Sequence, residues 1–237
     1  MSTDRPGPLI GRGRAADVFD LGGGRVLRRN RDGSSTEREA AAMRYLHEQG
    51  YPVPAVHDSS GPDLVMERIV GATMLDAFAR RPWRLRSWAR LLASLHEQLA
   101  GVPVPEFDLP IRFGRPDTLI HADLHPDNVM LTSGGPVVID WTNVSAGPRG
   151  AEVANTWLIV AASELDSTGV SRLVQSAARS FFLRTFLDHA DRRLARSMLV
   201  EAAEHRLTDR NLRPGEADRI RRLVRDEVGA VSATPAD

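Results

Sequence analysis

The stretch Thr118–Trp141 reads TLIHADLHPDNVMLTSGGPVVIDW. Leu119-Ile120 leads into a polar cluster of His121, Asp123, His125, Asp127 and Asn128. Val129-Met130-Leu131 follows, then a Ser133-Gly134-Gly135 turn, then Val137-Val138-Ile139 and Asp140. Apolar, β-branched runs divided by Gly-rich turns predict short buried strands, with the polar residues carried on the loops between them. Such a frame delivers one Asp and one Asn from a loop and a second Asp from the end of a strand. These are hard oxygen donors of the kind Mg²⁺ prefers, since it takes one or two ligands from the protein and leaves the rest of its shell to water and phosphate oxygens. His121-x-Asp123-x-His125 also admits reading as a zinc triplet, because imidazole and carboxylate suit that metal. That reading needs further clustered ligands, whereas His47, His57, His96, His189 and His205 are scattered singly.

The spacing resembles the catalytic core of the protein-kinase-like phosphotransferases, and its wording is similar to that of the aminoglycoside phosphotransferase family. A kinase catalytic loop reads His-Arg-Asp, with an Asn five residues after the Asp and Asp-Phe-Gly beyond it. Here His121-Ala122-Asp123 keeps the outer two, Asn128 falls five after Asp123, and Ile139-Asp140-Trp141 stands at the later motif. The form His-x-Asp-x-His-Pro-x-Asn followed by Ile-Asp-Trp looks like the small-molecule branch. The resemblance implies catalytic roles for Asp123, Asn128 and Asp140: Asp123 as base, Asn128 and Asp140 as Mg²⁺ ligands. His121 and His125 are read as bracing the loop so that Asp123 points correctly.

The chain has 237 residues, enough for one large domain or two small lobes with a real core. Its 42% hydrophobic and 26% charged content are ordinary for a soluble globular protein. Cysteine is absent, which excludes disulfides and thiolate metal sites. No apolar segment follows Met1-Ser2-Thr3-Asp4 and no run approaches a membrane span, so the expectation is a cytoplasmic protein without a membrane partner. Thirty-one basic residues balance thirty-one acidic ones, leaving no net field to draw nucleic acid. Every basic residue is arginine. This bears on mechanism, because a kinase-like site uses a lysine on its third strand.

Near the N-terminus, Leu9-Ile10-Gly11-Arg12-Gly13-Arg14-Ala15-Ala16-Asp17-Val18-Phe19 matches a kinase glycine-rich loop at Gly11, Gly13 and Val18, while Ala16 replaces the third glycine. Glycines let backbone N–H groups approach phosphate, although a lone Gly-x-Gly also serves as a plain hairpin turn. Arg25–Arg29 follows a triple-glycine turn and predicts a strand on which Val26 and Arg28 share one face, Leu27 and Arg29 the other. By the resemblance, Val26 lies against adenine and Arg28 takes the lysine position, with Arg29 as the alternative. A helix from about Ser34 to Gln49 carries Glu39, read as the partner of the strand arginine; a capping box from Thr36 to Glu39 or from Ser34 to Glu37 is the competing account. Asp63–Gly71 carries Met66-Glu67-Arg68-Ile69 ahead of Gly71, similar to a kinase hinge in which the Glu67 carbonyl and Ile69 N–H read adenine.

Leu85, Trp88, Leu91, Leu92, Leu95 and Leu99 recur at helical spacing before Gly101, predicting a core-facing helix. Further helices are expected at 152–162, 167–188, 191–207 and 214–229, the last with Pro214 in its first turn and followed by a frayed tail. Glu152 resembles the acid that buttresses the family's catalytic loop. Together these imply an α+β, two-lobed kinase-like fold: a nucleotide lobe over 1–66 with an antiparallel sheet and one helix, a hinge at 67–71, and a mainly helical lobe over 72–237. The implied activity is transfer of a γ-phosphoryl group to a hydroxyl of a small molecule, with ATP as donor (GTP as the alternative) and Mg²⁺. A nucleotide-binding, pseudokinase-like protein of weak activity is the rival reading. Oligomeric state has no signature in the sequence.

Overall fold

The computed structural model describes residues 7–13, 15–164, 169–209, 212–213 and 215–229. In chain order come strands β1 (Leu9–Arg12), β2 (Ala16–Gly22) and β3 (Arg25–Asn30), helix α1 (Glu37–Glu48), strands β4 (Val56–Ser60), β5 (Asp63–Glu67) and β6 (Ala72–Thr73), and helices α2 (Met74–Arg80) and α3 (Leu85–Ala100). Strands β7 (Thr118–Ile120), β8 (Val129–Thr132), β9 (Gly135–Val138) and β10 (Ser145–Gly147) follow, then helices α4 (Arg149–Ala162), α5 (Gly169–His189), α6 (Arg192–Ser197), α7 (Leu199–Leu207) and α8 (Glu216–Gly229). The fold is α+β. It divides into two compact units, one of Met1–Met74 with Asp127–Val144, the other of Leu75–Pro126 with Ser145–Asp237. Pro214 and the expected C-terminal tail lie outside the described residues.

The first unit is built on a five-stranded antiparallel sheet in the order β1-β2-β3-β5-β4. Gly22, Gly23 and Gly24 make the β2–β3 turn with φ of 71°, 58° and 74°, a region that only glycine enters without steric cost. β3 is central, and its Val26, Leu27 and Arg28 are all buried. α1 starts with Glu37 and Glu39 in its first turn, where carboxylates suit the helix dipole, and buries Ala40, Ala42, Met43 and Leu46. Neither capping box forms. The Thr36 hydroxyl donates instead to the carbonyls of Gly61 (3.2 Å) and Asp63 (2.9 Å), fastening the helix start to the sheet. A second sheet, β6-β8-β9, pairs Val129 with Val138 and hangs on the Val138 N–H, which donates to the Pro52 carbonyl at 2.8 Å. Trp141, fully buried, meets Tyr51 edge-on at 5.7 Å.

The second unit is helical. α3 presents the expected stripe, with Leu85, Trp88, Leu92, Leu95 and Leu99 buried. α4 is buried on nearly every side from Gly150 to Leu158 and packs against α3, α5, α6, α7, α8 and β7, so it is the axis of this unit. A helix buried all round has no face for solvent, so its polar Glu152, Asn155 and Thr156 must find partners inside the protein, and small residues at Gly150, Ala151 and Ala154 let its neighbours close in. α5 contributes Phe182 and Phe186, each fully buried and worth about 1.5–3 kcal/mol in apolar transfer. β7 pairs antiparallel with β10, Ile120 opposite Ser145. The single helix expected over 191–207 is two, α6 and α7, broken at Met198 (φ −106°, ψ 3°). Among the described residues no helix is long and apolar enough to cross a membrane.

Candidate active site

In the first unit the strand register sets the polar centre. Arg28 lies opposite Val18 on β2 and Leu64 on β5, and points to the buried side. Its guanidinium grips Glu39 in a fork: Nη1 donates to Oε1 at 2.9 Å and Nη2 to Oε2 at 2.5 Å. Nη2 also donates to Asn30 Oδ1 (3.2 Å) and Nη1 to Thr142 Oγ1 (3.0 Å), while Asp140 Oδ1 stands 3.5 Å from Nη1. The planar fork is what makes this two-point grip available to arginine and not to lysine. The remaining donor, Nε, is buried with no partner among the described residues. Burial pushes the Glu39 carboxyl up to about 7, assisted by the Asp140 charge, against the pull of Arg28. Arg29, on the other face, is taken by Asp63 at 2.6 Å in a half-exposed pair.

The β8–β9 hairpin brings the two oxygen donors together. Its ladder runs from Val129 opposite Val138 to the Ile139 N–H, which donates to the Asn128 carbonyl at 3.0 Å, so Asn128 and Asp140 sit at one end of it. Asp140 adopts φ 64°, a left-handed conformation rare for a non-glycine residue, and its carboxylate is 55% exposed. The Thr142 hydroxyl steadies it, donating to Oδ1 at 2.8 Å. An amide and a carboxylate side chain at one hairpin end form a donor set that fits Mg²⁺, with room left for phosphate and water oxygens. Gly11 lies in β1 opposite Val18, and Gly13 opens the β1–β2 turn, its N–H donating to the Ala16 carbonyl at 2.8 Å. A Cβ at Gly11 would touch the Val18 side chain at 3.7 Å. Glu67 closes β5 and Ile69 follows it.

The second unit holds Asp123 on a loop clamped from α4. Ala122 has φ 61°, and both its backbone polar groups are bound: the N–H donates to Glu152 Oε2 at 2.7 Å, and the carbonyl accepts from Asn155 Nδ2 at 2.5 Å. The Thr156 hydroxyl donates to the Leu124 carbonyl at 2.6 Å. Three α4 side chains therefore hold a strained turn in which Asp123 follows the left-handed residue. His121, fully buried, accepts the Asp123 N–H at Nδ1 (3.2 Å), and His125 Nε2 lies 3.6 Å from Asp123 Oδ2. Arg206, on α7, donates from Nη1 to Asp123 Oδ1 at 3.1 Å. Burial alone would raise the Asp123 carboxyl, but the His125 hydrogen bond and charge, then Arg206 and His121, outweigh it and hold it below the ordinary range. Glu152 has the reverse balance: full burial raises it to about 7 despite the amides it accepts from. Among the described residues no group of three or more His, Asp or Glu side chains is placed to hold a metal ion. Thr142, Asn155 and Arg206 escape the sequence reading. Arg206 lies 83 residues beyond Asp123, and no motif surrounds it in the sequence.

The model of the phosphotransferase enzyme family matches residues 7–113 and 104–196. Serine/threonine-protein kinase rio2 of Schizosaccharomyces pombe is 34% identical over 102 residues, 43% of this chain and 25% of that protein, so the chain spans a quarter of the length of this curated relative. A thermostable mutant of aminoglycoside phosphotransferase APH(4)-Ia superposes with a TM-score of 0.62 at 17% identity, covering 96% of this chain and 95% of that one. Amicoumacin kinase hAmiN, solved with AMP-PNP, Ca²⁺ and Ami, gives 0.54 at 15% identity over 97% and 90%. At these identities the likeness is one of fold, and the fold is kinase-like.

Proposed function

We propose that this chain, which belongs to the phosphotransferase enzyme family, transfers the γ-phosphoryl group of ATP to a hydroxyl group of a small molecule. The observation that carries this reading is the cluster in the first unit, where Arg28, Glu39, Asp140 and Thr142 bond to one another. Phosphoryl transfer relies on positioning and charge neutralisation, so a buried cation beside a carboxylate that can take a metal is the equipment it calls for. Asn128 and Asp140 would hold Mg²⁺, which neutralises charge on the phosphates when bound. Arg28 supplies a fixed cation, oriented by Glu39, and its unpartnered Nε supports a role toward a further acceptor. Gly11, Gly13 and Val18 line the phosphates, Val26 the adenine, and the Glu67 carbonyl and Ile69 N–H its polar edge. Asp123, ionised through its depressed pKa, accepts the acceptor's hydroxyl proton. The acceptor oxygen bonds to phosphorus as the bond from phosphorus to the departing ADP oxygen breaks. GTP is the alternative donor. The solved relative hAmiN, held with a nucleotide analogue and a divalent cation, supports this cofactor class.

The rival, a nucleotide binder with weak transfer, is favoured by one observation: both terminal nitrogens of Arg28 are already engaged by Glu39. One pair of variants separates the readings. Asp123→Asn keeps Mg·ATP affinity within a small factor but lowers transfer to an accepted hydroxyl substrate by about 10²–10⁴-fold. Asp140→Ala loses the Mg²⁺ dependence of ATP binding in calorimetry. Near-native transfer by Asp123→Asn sinks the base assignment, and unchanged Mg²⁺ dependence in Asp140→Ala sinks the metal assignment.

A further inference from the structure

The surroundings of Asp123 in the second unit are basic. Arg206 reaches it through Nη1 alone, and among the described residues that is the only side-chain hydrogen bond Arg206 makes. The pair is partly open, with the arginine side chain 18% and the aspartate 25% exposed, a setting sheltered enough for charge to be felt strongly. His205, next along α7, lies 3.0 Å from Arg112 Nη1 and meets the Phe113 ring at 4.9 Å. Arginine can only donate, so His205 Nε2 accepts and the ring is neutral. Desolvation and the charges of Arg112 and Arg206 depress its pKa to the same end, with Asp209 acting in the opposite sense. The two acids of α7, Glu201 and Glu204, fall by helical periodicity on the far side from Arg206.

We infer that Arg206, with Arg112 as a flanking cation, holds an anionic group of the phosphoryl acceptor, a carboxylate or a phosphate. This rests on the reading of Asp123 as the base. A guanidinium carries five N–H donors in a plane and binds carboxylate or phosphate by two parallel bonds. Arg206 spends one nitrogen on Asp123, which leaves Nη2 and Nε for a second anion without giving up the first. An acceptor bound this way brings its hydroxyl beside the base by the same contact that recognises its charge. A polycationic acceptor meets the opposite field and must compete with Arg206 for Asp123.

The test measures dissociation constants by NMR titration of the full chain at fixed ionic strength, using glycerate, glycerol 3-phosphate, glycerol and ethanolamine. These probes share a hydroxyl and differ in charge, and the first two distinguish carboxylate from phosphate. The expected result is binding of at least one anion about tenfold or more tighter than glycerol and ethanolamine, the scale of one charge-assisted bond. Arg206→Gln abolishes that preference, and Arg206→Lys, which keeps the charge and loses the fork, retains part of it. Equal or tighter binding of ethanolamine or glycerol, no detectable binding of either anion, or an undiminished preference in Arg206→Gln overturns the inference. Mg·ATP calorimetry on the same native sample reads the phosphotransferase assignment separately: nucleotide binding without anion preference removes the acceptor inference alone, and anion preference without nucleotide binding removes the phosphotransferase assignment.

Discussion

At the scale of single residues, the site rests on side chains whose protonation is decided by what surrounds them. Glu152 has no cation to offset its desolvation, and full burial raises its carboxyl from the ordinary range to about 7. A carboxyl raised on folding stabilises the native state fully below its unfolded value, and that stability is lost as pH climbs through the folded value. The window therefore runs from the ordinary carboxylate range up to about pH 7, and stability falls across it. Glu152→Gln keeps an oxygen for the Ala122 N–H and cannot ionise. Its urea midpoint should fall less from pH 5 to 8 than the native midpoint does, the slope that remains belonging to Glu39, which burial also raises to about 7; a variant profile as steep as the native one would show that Glu152 ionises freely in the fold. Residues at this scale were unevenly legible in the sequence. Asp123, Asn128 and Asp140 stand within one contiguous motif; strand alternation separates Arg28 from Arg29, the resemblance chooses Arg28 between them, and Arg28 is the one that is buried. The Arg206–Asp123 contact could not be read, because it joins α7 to a distant loop and no local pattern encodes it.

Elements with a strong period were the legible ones. α1 and α3 keep apolar residues at three- and four-residue spacing and stop before Gly50 and Gly101; α3 has the expected bounds to within a residue, while α1 starts at Glu37, three residues after the expected Ser34. β4 was missed because Val56-His57-Asp58-Ser59-Ser60 is a mostly polar edge strand without alternation. β6 and β10, of two and three residues, are too short to carry a period. The break at Met198 lacks Pro or Gly to announce it. α4 was expected three residues late, since Arg149-Gly150-Ala151 reads as loop. Gly150 shows why it is helix: a Cβ there would come within 2.7 Å of Leu194 Cγ and 2.9 Å of the Leu194 carbonyl oxygen, so α6 crosses at a distance only glycine permits. Gly150→Ala is accordingly an overpacking change despite alanine's better helix propensity, with an expected cost of about 1–3 kcal/mol in thermal or urea unfolding. An unchanged or raised midpoint would mean that α6 yields without cost.

The whole molecule divides in a way that composition and length do not reveal. The first unit is discontinuous: its sheet and α1 come from residues up to Met74, and its β8–β9 hairpin and Trp141 from Asp127–Val144. Hairpin and early segment are bonded through the Val138 N–H to the Pro52 carbonyl and through β6 paired with β8. A fragment of residues 1–74 therefore lacks the Trp141 that covers Tyr51, and it should show no cooperative unfolding transition by circular dichroism. A fragment of that length with a sharp transition would mean that the five-stranded sheet is self-sufficient. The same discontinuity sets an order of events during synthesis. Seventy residues separate Met74 from Val144, and at a ribosomal pace of about 5–20 residues per second the hairpin arrives about 4–14 s after the segment it completes. For that interval the nascent first unit carries buried-type side chains with nothing yet made to cover them, so its maturation is timed by translation and its most vulnerable moment belongs to the ribosome.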